Sequence, residues 1–295
     1  MFGLILLGAV LKKLKLTNDA FLDTSDRLIY FVFFPLMLFW KIGGASSIAI
    51  DWSFCAAAIC ALLCIYLLSW ICIRAFKITD FQAGTFSQSC YRFNTYIGMA
   101  VIMTALGEES VGVFGILIGF MIPIINVLAV STLIWYSGKS YSAGERNRLL
   151  LKALVSNPLI LGCATGILYA NLFHSFPPFL ENTLRLAGMV TLPLALLSIG
   201  GNLTFSSFRE YYRPSVIASI VKLAVLPAVG YFFFEIFNVT AISFKVGIIF
   251  FALPTSTSIY VLSSQLKSDT RLASASIVIS TALSFISLSV ALMLV

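Results

Sequence analysis

Residues 90–102 read CYRFNTYIGMAVI, and the solvent around this stretch decides the fold. In a soluble protein, an arginine and an asparagine two residues apart between aromatics would mark a surface loop or a helix cap. Here they interrupt a chain built mostly of long apolar runs. Of its 295 residues, 60% are hydrophobic and 11% charged, with a mean hydropathy of +1.00. A soluble domain carries about a quarter charged residues. The composition is that of an all-α polytopic membrane protein, because an apolar run of about 20 residues crosses the hydrocarbon as a helix. A membrane β-barrel needs short alternating segments, which continuous runs such as residues 52–73 exclude.

Turn signals divide the chain into ten predicted spans, at residues 2–14, 27–44, 52–73, 82–105, 110–136, 150–171, 180–202, 214–236, 243–264 and 271–294. Of the 19 lysines and arginines, fourteen fall in alternate connections on one side, three (Lys41, Arg185, Lys245) on the other, and Arg92 and Lys222 within spans. That asymmetry predicts a plasma (inner) membrane protein with both termini extracytoplasmic and the basic 137–149 loop cytoplasmic. The net charge of +7 is therefore a topology signal, and no nucleic-acid partner is expected.

The six cysteines all lie in apolar runs without a Cys-x-x-Cys, and read as small buried hydrophobes. His174, the one histidine, sits in a loop beside Pro177 and Pro178 and offers no catalytic partner. No His-Glu-x-x-His, Gly-x-Ser-x-Gly, phosphate loop or midplane aspartate pair is present, which argues against an intramembrane enzyme. No cofactor or metal is expected. Asp51, Asp80, Glu108, Glu109, Glu145 and Glu235 all fall at or near span ends. Coupling to sodium or to protons stays open, with Asn94, Ser256 and Ser258 as the ion-binding candidates.

Gly8, Arg27, Pro35 and Gly43 recur as Gly166, Arg185, Pro193 and Gly201, each pair offset by 158 residues. This predicts two five-helix repeats, residues 1–136 and 150–295, flanking the 137–149 loop. Five is odd, so the second copy is inverted in the membrane, as in many secondary transporters. The stretch MFGLILLGAVLKKLKL is no secretory signal, since its basic cluster follows the apolar run. The offset predicts a longer native first helix, with an upstream start. The alternative is that Lys12 and Lys13 snorkel while the helix continues through Leu16.

Arg92 and Asn94 lie about ten residues into the fourth span. An arginine there costs several kcal/mol in lipid, so it needs protein or water and a partner. Asn94, Thr95 and Gly98 weaken the helix, and unwound backbone at membrane depth is tolerated only where it lines a cavity. The inverted counterpart is FALPTSTSIYVLSSQ, residues 251–265, where the offset sets Pro254 opposite Tyr96. Proline interrupts a helix, and Thr255, Ser256, Thr257 and Ser258 follow it with four hydroxyls. Two interrupted helices at matching positions point to a transport site whose freed amides can hold a carboxylate.

The substrate-site candidates are Asn94, Thr95, Arg92, Asn126, Pro254, Thr255, Ser256 and Thr257. Arg92 could bind a carboxylate or satisfy freed carbonyls; Asn126 could line the site or brace it. Lys222 could attract an anion or snorkel to the interface. The glycines at 112, 115 and 119 are expected to permit close helix packing.

At these residues the chain resembles the auxin efflux carrier family, which includes plant PIN-type exporters and bacterial malate or malonate permease-like proteins. The matching residues include Leu6-Leu7-Gly8, Phe33-Phe34-Pro35, Arg92-Phe93-Asn94 with Gly98, and Gly107-Glu108-Glu109. Further matches are Pro123-Ile124-Ile125-Asn126, Asn157-Pro158, Pro193-Leu194-Ala195-Leu196 through Gly200, and Lys222-Leu223 with Pro227. The resemblance implies a scaffold of spans 1, 2, 6 and 7 and a mobile transport domain of spans 3–5 and 8–10. It also implies crossed, broken spans 4 and 9, an elevator-type movement, a homodimer and a small organic anion as substrate. A channel, or a sensor that binds without transport, is the alternative. Family members carry Gly-x-Pro in span 4 where this chain has Gly98-Met99-Ala100, so the break is expected to rest on Asn94, Thr95 and Gly98.

Overall fold

The computed structural model describes residues 2–44, 51–137, 157–173, 175–202 and 208–295, with residues 144, 145, 147, 148 and 151 between them. His174 and most of the basic 137–149 loop lie outside the described residues. Among these, every regular element is helical. Five helices are long and apolar enough to cross a membrane, and shorter apolar helices accompany them.

Helix α1 (Phe2–Lys13) is followed by α2 (Asp19–Leu28), which runs through a π-turn (Ile29–Phe33) into α3 (Phe34–Gly43). The start at Asp19, eight residues before the predicted span, follows from Asn18, whose side chain accepts from the Phe21 amide. The π-turn falls just before Pro35, which has no amide to donate and needs the widened turn. Next come α4 (Trp52–Ala75), α5 (Asp80–Tyr91), α6 (Thr95–Leu106) and α7 (Glu109–Tyr136). Asp51 caps α4 by accepting from the Phe54 amide at 3.0 Å, which explains an acid at the edge of an apolar run.

Helix α8 (Pro158–Leu172) opens on Asn157, which accepts from the Leu159 amide. The helix starts at Pro158, eight residues after the predicted start of the sixth span, and the 158-residue offset carries Phe2 to within two residues of it. Then follow α9 (Pro178–Asn202), α10 (Phe208–Ile220), a second π-turn (Val221–Val225) ahead of Pro227, and α11 (Leu226–Ile236). The chain ends with α12 (Ala241–Phe251), α13 (Ser258–Gln265) and α14 (Thr270–Leu294), the last capped by Asp269.

The helices form two compact units. One comprises Met1–Ile50, Met99–Pro123 and Leu154–Leu203; the other comprises Asp51–Gly98, Ile124–Ala153 and Thr204–Val295. In the first, α1 packs on α9 and α3 packs on α8. A methyl group on Gly8 would strike the Leu197 carbonyl, and one on Gly166 would come within 3.3 Å of the Phe39 Cα. Leu197 and Phe39 are themselves 158 residues apart, so the two close approaches obey the sequence offset. Gly115 faces Ile42 and Gly119 faces Cys163, as close packing requires, whereas Gly112 has open space beside it. Lys41 pairs with Glu108 at 2.9 Å and lies 4.0 Å over the Trp40 ring.

In the second unit α4 packs on α5 and α11, and α10 packs on α14. Its apolar core includes the fully buried Phe86 and Phe251 and the near-fully buried Phe54 and Phe234. Helix α5 is buried without interruption from Ala83 to Tyr91 despite four polar side chains, Thr85, Ser87, Gln88 and Ser89, in that stretch. Those side chains shape the site.

Candidate functional site

Within the second unit, both predicted interruptions are present. Helix α5 ends at Tyr91, Arg92 takes extended backbone (φ −66°, ψ 147°), and α6 starts at Thr95. The break is thus Arg92–Phe93–Asn94. Asn94 makes it: its Oδ1 accepts from the amides of Tyr96 (3.1 Å) and Ile97 (3.2 Å), capping α6. Thr95 and Gly98 are helical instead of unwound, and the Gly98 amide already donates to the Asn94 carbonyl at 3.0 Å. The expectation that they form part of the break is corrected.

The second break separates α12, ending at Phe251, from α13, starting at Ser258, with Pro254 between them. The two breaks meet directly: the Asn94 amide donates to the Pro254 carbonyl at 2.8 Å. Phe93 and Phe250 flank this bond edge to face, with ring centroids 4.5 Å apart. Interrupting a buried helix exposes backbone groups that must find partners. Ser287 Oγ donates to the Ala252 carbonyl at 2.8 Å, and Lys222 Nζ to the Phe251 carbonyl at 3.0 Å. The Thr255 amide donates to Ser280 Oγ at 3.2 Å, and Thr255 Oγ1 to the Ser89 carbonyl at 2.8 Å.

Several candidate roles separate here. Thr255, buried to 1% exposure, braces the two interrupted segments. Thr255→Val keeps the shape and is expected to lower stability by about 1–2 kcal/mol by orphaning the Ser89 carbonyl. Thermal unfolding of the purified variant measures this; a midpoint equal to wild type would mean that the bond contributes nothing. Arg92 Nη2 donates to Asn126 Oδ1 at 2.8 Å and Nη1 to Gln88 Oε1 at 3.3 Å, with both Arg92 and Asn126 buried. Lys222 does not snorkel: it is fully buried.

The sequence reading missed the seam that ties α5 to α13. Gln88 Nε2 donates to Ser263 Oγ at 3.1 Å, and Ser263 shares a 2.8 Å hydroxyl bond with Thr85, which also contacts Ser268. Its signal was the polar run FQAGTFSQSCY inside a predicted span.

After these structural roles are assigned, a compact set of groups is left. Asn94 is 1% exposed and its Nδ2 has no hydrogen-bond acceptor among the described residues. Thr257 and the hydroxyl-bonded pair Ser256 and Ser258 (2.7 Å) are half-buried at the start of α13. The starts of α6 and α13 bring two helix N-termini to the breaks, a positive environment with a spare donor. Among the described residues, no group of histidine, cysteine, aspartate and glutamate could hold a metal.

Five helices long and apolar enough to cross a membrane, beside two buried interruptions bonded to each other, fit a multi-pass membrane protein of the transporter class. The chain belongs to the membrane transport protein family, whose model matches residues 1–292; this is the auxin efflux carrier family that the motifs resemble. An uncharacterized transporter of Methanocaldococcus jannaschii is 23% identical over 290 residues, covering 96% of this chain and 92% of the relative.

Proposed function

We propose that the chain is a secondary transporter that binds a small organic anion, a carboxylate such as malate, malonate or an auxin-like acid, where the two breaks meet. The observation that carries this reading is the Asn94 amide: a buried donor without an acceptor among the described residues, beside two helix N-termini. Leaving a donor unsatisfied costs about 1–3 kcal/mol, a cost that a bound carboxylate oxygen removes. Arg92 and Lys222 already donate to protein oxygens, so the Asn94 amide is the anchor for one carboxylate group of a mono- or dicarboxylate.

The spans are ten, in two inverted repeats, with spans 4 and 9 broken. Support comes from the offset-related contacts of Gly8 with Leu197 and of Gly166 with Phe39. A scaffold of spans 1, 2, 6 and 7 dimerises, and a transport domain of spans 3–5 and 8–10 carries the anion by elevator-type alternating access. Residues 1–50 and 154–203 group in one unit, which supports the scaffold of spans 1, 2, 6 and 7; residues 99–123, from spans 4 and 5, group with them and depart from that division. Both termini face outward from the inner membrane, as the charge asymmetry requires.

Labelled carboxylate uptake into liposomes tests the reading. Wild type is expected to give saturable uptake of at least one mono- or dicarboxylate. Ser256→Ala combined with Thr257→Val is expected to lower it about tenfold by removing two hydroxyl donors. Uptake that never saturates would point to a channel, and binding without uptake to a sensor.

A further inference from the structure

Lys222 is fully buried in the π-turn between α10 and α11, and its Nζ reaches the Phe251 carbonyl oxygen at 3.0 Å. Phe251 is the last residue of α12, so the ammonium sits at the negative end of the half-helix that leads into the second break. Among the described residues, no carboxylate forms an ion pair with it. Burying an unpaired cation is costly, and here the compensation is a helix terminus instead of an acid.

Unwound carbonyls and half-helix C-termini are the groups with which secondary carriers coordinate a coupling cation. We propose that the Lys222 ammonium is a tethered substitute for that cation, so that the break takes its anion without sodium. The inference rests on the reading of the breaks as an anion site and adds the identity of the positive charge. Neighbouring oxygens agree with it. The Ala252 carbonyl is taken by Ser287 and the Pro254 carbonyl by the Asn94 amide. Ser256 and Ser258, the hydroxyls best placed to ligate an ion, bond to each other. A metal ion at this end of α12 would therefore have to displace Lys222 from the Phe251 carbonyl.

Thermal unfolding of the full chain, in sodium chloride against choline chloride at equal ionic strength, tests the substitution. Wild type is expected to unfold at the same temperature in both salts. Lys222→Ala leaves the Phe251 carbonyl bare with space beside it; it is expected to unfold earlier in choline and to be partly restored by sodium. A sodium-specific shift in wild type overturns the proposal, as does a folded Lys222→Ala with equal midpoints in the two salts. Should Lys222→Ala fail to fold, wild type with malonate as probe decides. Stabilisation by malonate is expected to be independent of sodium, and a sodium requirement overturns the proposal. If malonate has no effect in either salt, the anion reading is what fails, and the wild-type comparison of the two salts without malonate decides the sodium question.

Discussion

Alanine in place of Gly200 lowers the stability of the first unit by about 3 kcal/mol or more, at the upper end of what overpacking costs. The added methyl group would land on the Ile5 carbonyl oxygen, and one on Gly8 would land on the Leu197 carbonyl oxygen. Both obstacles are backbone atoms, which no side-chain rotation can move aside. Alanine's better helix propensity returns about 1 kcal/mol, so the clash decides the sign. Lipid offers no hydrophobic drive for helix association, so close backbone approach is what holds α1 on α9. The control is Gly112→Ala, where nothing lies within 4 Å of the new methyl group; there the propensity gain should leave stability unchanged or raised. Thermal unfolding of the purified variants reads both. Equal midpoints for Gly200→Ala and Gly112→Ala would mean that α1 and α9 do not approach as described.

The contrast between these two glycines indicates what the sequence could and could not convey. Gly112 and Gly200 look alike in a row of letters, because what a glycine faces is a property of the other helix. Apolar runs and their turns were legible because lipid imposes length and composition on every span. The interruptions were legible too: proline in an apolar run and Arg92-Phe93-Asn94 in another violate the same rule. Their boundaries were less so. Asn94 was read as one weak point among three, yet an asparagine cap satisfies two amides at once and restarts the helix at Thr95. The partners of freed carbonyls were not legible. Lys222, Ser280 and Ser287 come from other helices, and a single serine in an apolar span carries no mark of what it will meet. Pro123 shows the opposite limit: it lies inside the 28-residue α7 without ending it, since membrane helices tolerate proline where neighbours compensate.

Asn94→Asp is expected to abolish carboxylate uptake while leaving the protein folded, and the reason lies in the two ends of one amide. Oδ1 caps α6, accepting from Tyr96 and Ile97, and a carboxylate does this equally well at a positive helix N-terminus. Nδ2 is the buried donor without an acceptor among the described residues; aspartate replaces it with a negative oxygen. An anion approaching that point loses a charge-assisted bond of about 1.5–3 kcal/mol and meets a like charge in a low-dielectric site, so uptake falls by more than about a hundredfold. Asn94→Ser separates the losses. Its hydroxyl can cap or donate but cannot span both tasks, and uptake should fall about tenfold. Asn94→Ala removes cap and donor together, adding about 1 kcal/mol of destabilisation to the functional loss. Uptake into liposomes, paired with the unfolding midpoint of each variant, distinguishes the terms. Flux in Asn94→Asp equal to wild type would remove Asn94 from the anion site. A midpoint that fell together with the flux would show that this position does not tolerate a charge, and the loss of uptake would then follow from the damaged fold and not from the missing donor.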